Sequence, residues 1–136
     1  MKVRLSRLGI VALCAALAGA AAPVIAHHSL SVEFDTDRTV TITGVITEMR
    51  WSNPHSWLYL DVKDERSQVA KWAIEFASPN SLYRRGWRRS DLPPNLTVTV
   101  TGYPNRDKSR TIAATDVKLP DGRTLFAGTA PSEGGR

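Results

Sequence analysis

Threonines alternate with branched apolar residues in two well-separated stretches, Thr39-Val40-Thr41-Ile42-Thr43 and Thr97-Val98-Thr99-Val100-Thr101. A period of two puts the apolar side chains on one face and the hydroxyls on the other, the pattern of a half-buried β-strand. The first stretch continues to Trp51, and at Gly44 its phase shifts so that Val45, Met49 and Trp51 share a parity. A glycine at a phase change predicts a β-bulge or a sharp strand bend there. Asn53-Pro54 marks a turn into a second strand, 55–62, with Leu58, Leu60 and Val62 on one face and His55, Trp57, Tyr59 and Asp61 on the other. After the polar loop 64–68, residues 69–76 give a third strand with Ala70, Trp72, Ile74 and Phe76 facing one way and Lys71 and Glu75 the other.

Ser78-Pro79 then opens a short helix, with Ser as its cap and Pro in its first turn, which ends near Gly86 and is anchored by Leu82. Strands follow over 96–103 and 110–119, and Asp121-Gly122 predicts a hairpin into a short last strand. Three strands, a helix and two more strands is the element order of an OB-like barrel. The expected class is therefore all-β with one short helix, a five-stranded OB-like barrel, with a small β-sandwich as the alternative. Neither fold specifies a function, which has to come from a site.

The first 26 residues read as a signal peptide. Lys2, Arg4 and Arg7 precede an apolar run from Leu8 to Ala22, and Val24-Ile25-Ala26 supplies small residues before a cut. The run is short for a membrane span of about 20 residues, and Leu13 stands before Cys14 where lipid attachment expects a small residue. The sequence thus predicts a periplasmic or secreted protein with no transmembrane anchor after processing. Removing 26 of 136 residues leaves 110, enough for one domain. The expected organisation is an N-terminal extended segment over 27–37, the barrel over 38–127 and a disordered tail over 128–136.

Three of the 18 basic residues leave with the signal and none of the 13 acidic ones does, so 15 face 13 and the net charge falls from +5 to +2. The basicity is largely a targeting feature, and nucleic acid is not an expected partner. Cys14 is the one cysteine, so the processed domain has neither a disulfide nor a thiolate site.

The three histidines are His27, His28 and His55. Cleavage after Ala26 would leave His27 at the mature N-terminus, where its α-amine and ring nitrogen form a chelate. Joined by the ring of His28 or His55, this makes a nitrogen-rich set suited to Cu(II) or a similar metal. An alternative mode uses the amine, the intervening amide nitrogen and the His28 ring, and needs no fold. Both modes require a deprotonated amine, so affinity should rise with pH through neutrality. Glu33, Asp35 and Asp37 could orient a ligating ring. The competing account is plain: two polar residues beside a cleavage site, and a turn histidine beside Pro54.

Two further groups are candidate ligand contacts. Trp57 and Tyr59 share the outward face of the second strand, where OB-like folds stack ligands, unless the helix or the N-terminal segment covers them. Arg84, Arg85, Arg88 and Arg89 surround Trp87 next to Tyr83, a set suited to anionic lipid, acidic polysaccharide or an acidic protein, or else simply a solvated helix end with Trp87 packed inward. There is no G-x-S-x-G, phosphate loop, CxxC or HExxH, and no catalytic residue is assigned. Serine-based catalysis would need a histidine partner, and His55 alone is embedded in the domain.

His27-His28-Ser29, Glu33-Phe34-Asp35, 51–64 (WSNPHSWLYLDVKD), 72–87 (WAIEFASPNSLYRRGW), 98–103 (VTVTGY) and 119–128 (LPDGRTLFAG) resemble a family of short secreted bacterial proteins, domain of unknown function family 6152. The resemblance spans nearly all of the mature chain. It implies no activity, but it implies that the HHS and NPH motifs belong to one pattern and so favours a shared role for His27, His28 and His55. The expected function is an exported small binding protein, holding copper or a similar metal at an N-terminal histidine site. The alternatives are a metal-independent module for an envelope ligand or protein, and a copper-dependent redox enzyme.

Overall fold

The computed structural model describes residues 30–128, and its architecture is a closed five-stranded β-barrel of OB-like topology. The first strand, β1 (Val40–Arg50), pairs antiparallel with both β2 (Ser56–Lys63) and β4 (Thr97–Pro104). In turn β2 pairs with β3 (Val69–Phe76) and β4 with β5 (Thr111–Lys118). The circle closes where β3 meets β5 in parallel through three register pairs, Ala73 with Thr111, Ile74 with Ile112 and Glu75 with Ala113. A short strand, β6 (Thr124–Phe126), extends β5 beyond the barrel wall.

Alternation sorts the side chains as the sequence predicts. Ile46, Leu58, Leu60, Ile74, Phe76, Val98, Val100, Ile112 and Val117 are buried in one core. On the opposite face of β1 and β4, Thr41 and Thr43 bond hydroxyl to hydroxyl with Thr101 at 3.0 Å and Thr99 at 2.9 Å, the cross-strand pairing that fixes register on an open sheet face.

The bulge expected at Gly44 lies elsewhere. Gly44 stays in phase with Val40, Ile42 and Ile46, whereas Val45 is exposed; the register slips at Thr47, the extra residue opposite the Leu60–Tyr59 step. Gly44 is needed for a different reason. A Cβ there would lie 2.9 Å from both the Asp61 carbonyl oxygen and Val62 Cγ2, so the chain is glycine where β2 crosses close over β1. A second bulge, with Thr115 as its extra residue, lies on β5 opposite the Thr101–Gly102 step.

Two helices flank the barrel: α1 (Leu30–Glu33), within the segment expected to be extended, and α2 (Pro79–Arg84), which Ser78 caps by accepting from the Ser81 N–H. The second ends in a left-handed Gly86, with Gly86 N–H donating to the Tyr83 carbonyl and Trp87 N–H to that of Leu82. This turn delivers Trp87 to the core, fully buried, where its indole N–H donates to the Phe126 carbonyl at 2.9 Å. A single 3-10 turn, Arg89–Asp91, follows. The tail beyond Gly128, expected to be disordered, and the first 26 residues, expected to be a signal peptide, lie outside the described residues.

Candidate functional site

His55 closes the turn between β1 and β2, with its carbonyl accepting from Ser52 Oγ at 2.8 Å. It belongs to the outer face of the barrel. There its Nδ1 meets Glu75 Oε1 of the neighbouring strand in a direct hydrogen bond. Glu75 was expected to project outward with Lys71. Its side chain is on that face, but the residue is only 8% exposed, because it sits at the barrel closure with Trp57 opposite on one side and Ala113 on the other. Burial pushes the Glu75 carboxyl above its ordinary range; the contact with His55 opposes that shift and the charge of Glu33 adds to it.

The N-terminal segment passes beside Glu75. Leu30 lines a small recess with Glu75, Phe76, Tyr103, Ala113, Ala114 and Thr115. The segment is held there by backbone bonds to the end of β4 and the loop after it: Asp35 N–H to the Pro104 carbonyl at 2.9 Å, and Arg106 N–H to the Glu33 carbonyl at 3.0 Å. Arg106 Nε also donates to the Ser31 carbonyl, and Phe34 anchors the end of this strap with a fully buried side chain. His27 and His28 lie outside the described residues. Among the described residues, no three His, Cys, Asp or Glu side chains form a metal-holding group. The arrangement there is a pair, one imidazole and one buried carboxylate, with Glu33 close enough for its charge to act on Glu75.

Of the three carboxylates proposed to orient a ring, only Glu33 is felt at this pair; Asp35 instead faces Arg38 at 3.5 Å. Sequence reasoning missed Glu75. Alternation gave no signal for it: an acid between Ile74 and Phe76 reads as an ordinary outward polar residue, and what buries it is the pairing of β3 with β5.

The other candidates separate. Trp57 and Tyr59 are half-buried, and the Arg50 guanidinium lies 5.1 Å from the Tyr59 ring centroid. The arginines spread rather than converge. Arg84 donates to Ser81 Oγ and Arg88 to the Tyr83 and Trp87 carbonyls. Arg85 bonds the Gly128 carbonyl and covers Phe126, while Arg89 lies over Trp51, which itself stacks on Tyr83 with centroids 5.4 Å apart. Among the described residues, no helix is long and apolar enough to cross a membrane.

No curated protein matches the sequence. A family model does, over residues 15–114, which are 100 of the 136 residues and take in His27, His28, His55 and Glu75 but stop short of the last hairpin. The chain belongs to the family of unknown function DUF6152.

Proposed function

We propose that this is an exported metal-binding protein, periplasmic or secreted, that holds copper between its mature N-terminus and His55. One observation carries the reading: the strap leading back to the N-terminal histidines enters the described structure at Leu30, on the recess walled by the partner of His55. His28 precedes Leu30 by two residues, an extended reach of about 7 Å. The donor chemistry fits. An imidazole backed by a buried carboxylate, joined by an α-amine and one or two further imidazoles, is a nitrogen-rich set that Cu(II) favours over other divalent ions.

The signal-like segment supports export, and it is also what would create the amine ligand. The interaction-module reading gains less support. Tyr59 is covered by Arg50, and the four arginines bond or stack within their own part of the fold.

The test is a Cu(II) titration of chain processed to begin at His27. One ion should bind tightly, and a version carrying one additional N-terminal residue should bind far more weakly. Equal binding by the two would remove the α-amine from the site. His55→Ala separates a folded site from a local chelate: it should weaken binding, and unchanged affinity would show that His27 and His28 act alone.

A further inference from the structure

We propose that Glu75 is the positioning residue of the copper site: by accepting the Nδ1–H of His55 it fixes the ring's orientation and leaves Nε2 as the coordinating atom. The purpose of this arrangement rests on the metal reading above, whereas its geometry does not.

The argument begins with what holds Glu75. Its backbone is registered on two sides at once, against Trp57 of β2 and Ala113 of β5, at the point where the barrel closes. Its side chain is 10% exposed while that of His55 is 38% exposed. A carboxylate so confined has few rotamers open to it, and a ring bonded to it inherits that restriction. The same contrast decides which group meets a metal. An ion arriving from solvent encounters the imidazole first, and the carboxylate lies behind it.

Bonding also settles the tautomer. In a neutral imidazole one nitrogen carries the proton and the other holds the lone pair. An acceptor at Nδ1 therefore assigns the lone pair to Nε2, and an anionic acceptor makes that nitrogen a better donor to a cation. Glu33, whose charge reaches Glu75, adds negative potential that favours a cation over a neutral ligand at this corner.

Long-range nitrogen NMR of the metal-free chain at mildly alkaline pH reads the tautomer directly. His55 should show a protonated Nδ1 and a lone pair on Nε2. Glu75→Gln, whose amide oxygen can still accept, should keep that tautomer with a small loss of Cu(II) affinity. Glu75→Leu fills the same buried space without an acceptor, and should lose the tautomer preference and bind Cu(II) about 10- to 100-fold more weakly. An Nε2–H tautomer, or a doubly protonated ring, in the wild type overturns the inference even if copper still binds. So does a Glu75→Leu chain with unaltered tautomer and affinity, or a Glu75→Gln chain as impaired as His55→Ala, which would make Glu75 a direct ligand. A wild-type chain with the Nδ1–H tautomer that takes up no copper overturns the metal reading and leaves the orientation standing.

Discussion

Two residues carry opposite costs inside this barrel. Ser56 is fully buried next to His55, and its hydroxyl finds no partner. A buried hydroxyl that has given up water for nothing costs about 1–3 kcal/mol. Ser56→Ala should therefore stabilise the chain by about 1 kcal/mol, seen as a melting temperature raised by about 4–8 °C; a lower one would mean the hydroxyl is bonded after all. Trp87 is the reverse case, fully buried with its indole N–H bonded to the Phe126 carbonyl and its rings packed against Phe76 at 5.8 Å. Trp87→Phe keeps an aromatic ring but strands that carbonyl and leaves a void, at a cost of about 2 kcal/mol. Urea denaturation should show the midpoint falling with an unchanged slope. Loss of Trp87 should also loosen β6, because the indole shares with Arg85 the task of tying Phe126 to the helix side of the barrel.

At the scale of elements, β1, β2 and β4 were legible because each has one wetter and one dry face, and the helix because Ser78-Pro79 and Gly86 mark its two ends. The bulges were not. An inserted residue such as Thr47 or Thr115 has ordinary composition, and its presence shows only in the partner strand's register. Gly44 misled for a related reason: a glycine demanded by close strand approach and a glycine at a bulge look alike in one sequence. His55 could be singled out as a candidate ligand, since histidine is rare here. Its partnership with Glu75 could not, since it depends on the β2–β3 register, and the burial of that carboxyl depends on β3 and β5 meeting, a contact between residues far apart in the chain. Gly102 offers the sharpest test of these close approaches. A Cβ there would fall 2.2 Å from the Ala113 carbonyl oxygen and 2.8 Å from Ala114 Cα, both backbone atoms that cannot swing aside. Gly102→Ala should cost about 3 kcal/mol, lowering the melting temperature by well over 10 °C. A change of a degree or two would show that β4 and β5 can spread without penalty.

For the molecule as a whole, the shortest join in the barrel wall and the candidate site coincide. The β3–β5 closure has three register pairs, against eight between β2 and β3, and Glu75 is one of the three. The strap from Leu30 to Phe34 crosses the same place, tied to the β4–β5 loop rather than to β3. A metal shared by the N-terminus and His55 would therefore join the strap to the β2–β3 side of the barrel and brace the seam from outside. A ligand that binds only the folded chain stabilises it by about 2.7 kcal/mol at a free concentration 100 times its dissociation constant. For a domain of this size that is a rise in melting temperature of about 10–20 °C, reversed by a chelator. Amides that exchange only through global unfolding, such as those where β1 pairs with β4, should gain protection matching that stabilisation wherever the metal binds. What marks a brace across the closure is a gain at Ala73 to Glu75 and Thr111 to Ala113 under conditions where these exchange by local opening; no gain there would put the metal at a site that does not span the closure. Unchanged melting with copper in excess would leave the histidines without a metal to share.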